Sequence, residues 1–213
     1  MQIIETDIPD VVIIEPKIFG DQRGFFTETF QVERYAAAGI KRSFLQDNLS
    51  RSSYGILRGL HLQNPRAQGK LVSAVRGKVL DVAVDVRRGS PTFGRHVSVE
   101  LSDENRRQLW VPRGFAHGFA VLSETADFFY KCDELYNPEE ELVVAWDDPE
   151  IGISWVGAYE IKIVSVVREV EAVIVINVGR RLDLRVAVGR YVAQPQTVVS
   201  VVAHEADNVF AVR

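Results

Sequence analysis

Gly55-Ile56-Leu57-Arg58-Gly59-Leu60-His61-Leu62-Gln63 is the stretch on which the reading of this chain turns. Its apolar residues between turn-forming neighbours predict a strand over Ile56–Leu62 that carries an arginine and a histidine. Gly69-Lys70 and Gly77 follow it, and Pro112-Arg113-Gly114-Phe115-Ala116-His117 lies further on. The surrounding text keeps the same rhythm. Val11–Ile14, Phe25–Phe30, Lys70–Val75, Val79–Val86, Gly94–Glu100, His117–Leu122 and Thr125–Lys131 also read as short strands between Gly, Pro and Asn/Asp punctuation. Many short strands at regular spacing predict an all-β sandwich or jelly roll. Val32–Ala38 reads as a short surface helix, because its alanine run favours helix and Gly39 suits the left-handed terminating position.

The chain has 213 residues, 46% hydrophobic and 25% charged, which is enough for one well-packed core and a small appendage. A formal net charge of -4 offers no basic field for a polyanion, so nucleic acid is not an expected partner. A single cysteine, Cys132, excludes an internal disulfide and a cysteine-rich zinc site and fits a reducing compartment, with the cytoplasm expected. The start lacks the basic and apolar pattern of a signal peptide, and no segment reads as membrane-spanning. Composition shifts after Trp155. Residues 1–155 read as one domain, and 156–213 as an atypical Val-rich segment with runs such as Val173-Ile174-Val175-Ile176 and Val198-Val199-Ser200-Val201-Val202. An added β-element, a dimerisation segment and an abnormal terminus are all open readings of it; such β-prone windows invite aggregation unless paired or covered.

The quoted stretches resemble the two cupin motifs, which implies a double-stranded jelly-roll barrel. The resemblance fails where a metal would bind. His61 fits the first ligand position, but Gln63 stands in place of the second histidine and Lys70 in place of the glutamate. A protonated ammonium has no lone pair to donate and repels a divalent cation, so no metal is expected. Without a metal, His, Lys and Tyr can still move protons beside a carbonyl. Such a carbon acid is too weak for imidazole alone, and needs a positioned base together with a group that stabilises the enolate oxygen. His61 is the candidate base and Lys70 the cation. Inverting a carbon requires a proton delivered to the opposite face, and Tyr130 is the candidate acid, its phenol expected to have its pKa drawn down by a nearby cation.

From Met1 to Trp155 the chain is similar to the dTDP-4-dehydrorhamnose 3,5-epimerases. The matching text is Phe19-Gly20-Asp21-Gln22-Arg23-Gly24-Phe25-Phe26, Gln46-Asp47-Asn48, Leu57-Arg58-Gly59-Leu60-His61, Gln68-Gly69-Lys70, Pro112-Arg113-Gly114-Phe115-Ala116-His117-Gly118-Phe119, Tyr130-Lys131 and Trp146-Asp147-Asp148-Pro149. The resemblance implies a homodimer of cupin jelly rolls with no cofactor. Its implied substrate is dTDP-4-dehydro-6-deoxy-D-glucose, epimerised at the two carbons flanking the ketone. It also implies His61 as proton acceptor, Tyr130 as proton donor and Lys70 beside the keto oxygen. Arg23, Glu28, Gln46, Asp47, Asn48, Arg58, His117 and Glu141 match text or positions that bind the nucleotide-sugar, and Tyr136 matches the position that stacks on thymine. Guanidinium groups suit bidentate contact with a diphosphate, and a phenol ring offers a flat face to a base.

One departure stands out. In the family, an aspartate in a Lys-Asp pair after a Gly-Ile-x-Trp segment orients the catalytic histidine. This chain has Gly152-Ile153-Ser154-Trp155 but no Lys-Asp pair after it, and Arg168 and apolar residues occupy the expected place. Loss of an orienting carboxylate can cost orders of magnitude in rate. Glu169, Asp183 and other carboxylates are candidate substitutes, and nothing in the sequence selects one of them. Alternative readings are an epimerase acting on one carbon only, a catalytically impaired cupin that binds the nucleotide-sugar, and, more distantly, a metal-dependent oxygenase. His96 and His204 match nothing and read as structural or surface residues, and Phe25 and Phe26 as part core and part pocket lining.

Overall fold

Alternating apolar residues in many short segments can all be buried only if sheets face one another. The computed structural model describes residues 1–155, 162–167 and 170–175. Its strands in chain order are β1 (Gln2–Glu5), β2 (Val12–Glu15), β3 (Ile18–Asp21), β4 (Gly24–Thr27), β5 (Gln46–Ser53), β6 (Ile56–Gln63), β7 (Lys70–Arg76) and β8 (Lys78–Asp85). There follow β9 (His96–Ser102), β10 (Gln108–Val111), β11 (Phe115–Val121), β12 (Thr125–Cys132), β13 (Glu141–Val143), β14 (Lys162–Val167) and β15 (Val170–Val175). One sheet has the order β1-β2-β10-β7-β12-β5; the other runs β15-β14-β6-β11-β8-β9, with β13 also on β6. Every pairing in them is antiparallel except β14 on β6, where Lys162 and Ile163 lie beside Ile56 and Leu57. The fold is an all-β, cupin-type jelly roll, as the sequence predicts.

Val72, Leu109 and Phe128 from the first sheet meet Val79, Leu101 and Phe119 from the second in the main core. Fully burying such a side chain stabilises by about 1.5–3 kcal/mol. The opposite face of β6, β8 and β11 is also covered: Leu57, Leu60, Val82, Val84, Ala116 and Ala120 pack with Ile151 and Trp155. Burial on both faces explains why β11 is apolar almost without alternation. The helix α1 (Val32–Ala37) begins where the Gln31 side chain accepts from the Arg34 N–H, and Gly39 at φ 94° follows its end. It buries Tyr35 with Ile14, Ile40 and Leu71, and the Tyr35 hydroxyl donates to Gln108 Oε1 at 2.7 Å.

Several segments differ from their sequence expectation. Phe25–Phe30 is not one strand: β4 stops at Thr27 and forms a hairpin with β3, leaving Phe19, Phe25 and Phe26 exposed rather than in the core or the pocket wall. β1, β10 and β13 are too short to carry a periodic signal. β5 was missed because its text, Gln46 to Ser53, holds one aliphatic residue, Leu49. Its polarity has a reason: the inward-facing Gln46, Asn48 and Ser50 line a cavity instead of a core. In the 156–213 segment, β14 and β15 pair with each other and β14 joins the barrel sheet. Among the described residues no helix is long and apolar enough to cross a membrane.

Candidate active site

Strict alternation along β6 would put Arg58 and His61 on opposite faces, yet both line one cavity of about 380 Å³. The register supplies the reason. His61 pairs with His117 and Arg58 with Phe119, so β6 spends three residue steps where β11 spends two. The extra residue is a bulge that turns His61 inward. Gly59, at φ +120°, and Gly118 face each other there: a Cβ on Gly59 would lie 2.5 Å from the Gly118 Cα. The cavity wall is completed by Lys70 from β7, His117 from β11, Tyr130 from β12, Glu141 from β13, and Tyr136.

His61 Nδ1 lies 3.1 Å from Glu141 Oε1. The other Glu141 oxygen accepts from the Tyr136 hydroxyl at 2.9 Å. The remaining ring nitrogen, His61 Nε2, is buried with no hydrogen-bond partner among the described residues. Burial pushes Glu141 up, but the hydrogen bond and charge of His61, the Tyr136 hydroxyl and Lys70 outweigh it and hold the carboxyl below the usual range. Across the bulge, His117 Nε2 sits 3.0 Å from both oxygens of Asp81, which is fully buried. The His117 ring stacks on Phe128, centroids 6.1 Å apart.

Lys70 is partly buried in the cavity wall, and burial lowers its pKa, against the upward pull of Cys132, Glu141 and Asp81. The turn before it is held by Asp133, which accepts the Gly69 N–H at 2.7 Å and the Arg113 guanidinium at about 3 Å. A Cβ on Gly69 would meet Trp110 at 2.5 Å and Asp133 at 2.9 Å, so only glycine fits there. For Tyr130 the expected lowering is overturned. Burial raises its pKa, with Cys132 and Glu141 pulling the same way and Arg58 opposing, so the phenol keeps its proton more firmly than in water.

Gln46, Asn48 and Arg58 also reach the cavity. Gln46 Oε1 accepts the Tyr136 N–H at 2.9 Å, and Arg58 Nε donates to Ser52 Oγ at 2.9 Å. Three expected residues are not brought there. Arg23, 85% exposed, caps the β3–β4 hairpin in a pair with Asp21; Glu28 pairs with Arg34 at 3.0 Å; Asp47 pairs with Lys131 at 2.8 Å. Arg168, Glu169, Asp183 and His204 lie outside the described residues. His96 opens β9, away from the cavity. Sequence reasoning missed Asp81, Ser50 and Phe128. Asp81 left a signal: it is a carboxylate inside the apolar run Val79-Leu80-Asp81-Val82-Ala83-Val84, where an unpaired charge would be costly.

The family model for dTDP-4-dehydrorhamnose 3,5-epimerase matches residues 5–172. The chain belongs to that family. Among its epimerase relatives, the dTDP-4-dehydrorhamnose 3,5-epimerase of Shigella flexneri is 56% identical over 157 residues, 73% of this chain and 87% of the relative. A solved dTDP-6-deoxy-D-glucose-3,5-epimerase from Legionella pneumophila, in complex with dTDP-4-keto-L-rhamnose, is 55% identical with a TM-score of 0.75, covering 76% of this chain and 87% of its own. A more distant epimerase, a 3'-monoepimerase from Streptomyces bikiniensis in complex with dTDP-quinovose, is 36% identical with a TM-score of 0.67, covering 71% of this chain and 78% of its own.

Proposed function

We propose that this chain is an epimerase of dTDP-4-dehydro-6-deoxy-D-glucose, inverting C3 and C5 through enolates to give dTDP-4-dehydro-L-rhamnose. The observation that carries the reading is that His61, Lys70 and Tyr130 share one cavity, with His61 Nδ1 occupied by a carboxylate and Nε2 without a partner among the described residues. In each half-reaction Nε2 takes the proton from the carbon beside the ketone. The C–H electron pair forms the enolate C=C bond, and the carbonyl π pair moves to the oxygen at C4, beside the Lys70 ammonium. Tyr130 then delivers its hydroxyl proton to the opposite face, and the imidazolium and phenolate exchange protons with water to reset. A positioned base contributes typically 10²–10⁴-fold and one oxyanion partner about 3–4 kcal/mol. Tyr130's firmly held proton suits an acid that must be protonated when the enolate forms. Arg58, His117, Gln46, Asn48 and the Tyr136 ring bind the nucleotide-sugar.

The catalytic unit is residues 1–155, which contain every cavity-lining residue among those described, and it works in the cytoplasm as a homodimer. The exposed Phe19, Phe25 and Phe26 support the dimer, and Arg23 and Glu28, set away from their own cavity, fit a role at the partner's. The test is solvent exchange: the protein is incubated with the keto-sugar nucleotide in D2O and deuterium at C3 and C5 is followed by NMR. Uptake at both carbons, lost in His61→Asn, is the expected result. No uptake by folded protein overturns it, and uptake confined to C3 or to C5 selects a single-carbon epimerase.

A further inference from the structure

We infer that Glu141 is the carboxylate that orients His61 in this chain, with Tyr136 bracing it, so that the segment expected to hold the nucleotide's base also sets the catalytic base. This rests on the epimerase reading above. The sequence leaves His61 without the family's aspartate, and the resemblance assigns Glu141 to substrate contact; the geometry assigns it otherwise.

β13 pairs with β6 so that Val143 faces His61 and Glu141 faces Gln63. Residues two apart on a strand share a face, so the Glu141 side chain is the diagonal neighbour of His61 and reaches its Nδ1 at 3.1 Å. The strand that presents it is fixed at both ends, by Asn64 N–H to the Glu140 carbonyl and Val144 N–H to the Leu60 carbonyl, each at 2.9 Å. Gln63, buried beneath, donates to the Arg66 and Leu135 carbonyls and accepts from the Asn137 N–H, anchoring the loop that carries Tyr136. Each Glu141 oxygen therefore has a protein donor, Nδ1–H of His61 on one side and the Tyr136 hydroxyl on the other. A carboxylate on Nδ1 requires a proton there, which leaves the lone pair on Nε2. Nε2 is the buried nitrogen without a partner among the described residues. An unsatisfied acceptor in an enclosed site is what a base awaiting a carbon-bound proton presents. The arrangement is that of a positioning residue: Glu141 acts through His61, and Tyr136 through Glu141.

The experiment uses the full chain with 15N-labelled histidine and compares wild type, Glu141→Gln, Glu141→Ala and Tyr136→Phe. Long-range 1H–15N spectra of the His61 ring report which nitrogen carries the proton, whether or not the protein turns over. The wild type is expected to show the Nδ1–H tautomer, and Glu141→Ala to lose that preference. In kinetics, Glu141→Gln is expected to lower kcat by on the order of 100-fold with KM little changed. Tyr136→Phe, which keeps the ring, is expected to lower kcat less, by about tenfold. A His61 tautomer unchanged in Glu141→Ala, or a raised KM at unchanged kcat in Glu141→Gln, overturns the assignment and returns Glu141 to substrate binding. Failure of the epimerase reading looks different: a wild-type protein with the Nδ1–H tautomer, sensitive to Glu141, that exchanges no deuterium.

Discussion

Gly59→Ala is expected to damage both stability and catalysis, because Gly59 sits in the bulge that turns His61 into the cavity. The added Cβ would lie 2.5 Å from the Gly118 Cα and 2.7 Å from the His117 carbonyl oxygen, both backbone atoms that no rotamer change can move aside. Carbon atoms pack at about 3.5–4.0 Å, so β6 and β11 must part by roughly an ångström. Overpacking of this kind costs roughly 1–3 kcal/mol, and holding alanine at φ +120° roughly another 1–3 kcal/mol. At about 2–4 °C per kcal/mol for a chain of this size, the melting temperature falls by roughly 4–24 °C. A displacement of about 1 Å at reacting groups also costs on the order of 100-fold in rate. Gly89→Ala separates strain from clash, since Gly89 has φ +82° but nothing within 4 Å of its Cβ position. It is expected to cost only about 1–2 kcal/mol and leave the rate alone. Thermal melts and initial deuterium uptake of both variants measure these effects. A Gly59→Ala protein that melts no lower than Gly89→Ala and exchanges at the wild-type rate refutes the reasoning.

Asp81→Ala removes the partner of His117 Nε2 in a fully buried site. Urea unfolding is expected to show a loss of about 1–3 kcal/mol for the stranded ring nitrogen, and a loss under about 0.5 kcal/mol would contradict the pair's structural weight. The pH dependence of exchange follows from Lys70. Its lowered pKa means that the ammonium loses its proton on the alkaline side before an ordinary lysine would, so the exchange rate should fall as pH rises while still below 10.5. Tyr130, its pKa raised by burial, holds its proton further into the alkaline range than a free phenol does. A rate that stays flat to pH 10.5 in folded protein would remove Lys70 from the oxyanion role.

Most of the architecture was legible in the sequence where apolar residues alternate or run together. The strands containing His61, beginning at Lys70 and containing Tyr130 were found within a residue or two, and so was the helix from Val32. β5 was not, because the strand that lines a polar cavity carries polar residues on the face that periodicity expects to be apolar. The hairpin of β3 and β4 was misread for the opposite cause: its phenylalanines carry a core signal but point outward. Those errors share an origin, since hydropathy records what a face meets only when that face meets a core.

The chemistry divides along the same line. The sequence by itself determined the fold class and singled out His61, Lys70 and Tyr130 as the candidate reacting residues, because fixed motif spacing on strands survives without knowing which strands pair. It also showed that no Lys-Asp pair follows Trp155. Only the tertiary structure decided that Glu141 lies diagonal to His61 and that Asp81 pairs with His117. It also decided that Arg58 and His61 share a cavity despite their odd spacing, and that burial raises the Tyr130 pKa. Each of these depends on strand register, a bulge or local dielectric, which arise between segments far apart in the chain and leave no periodic trace in any one of them.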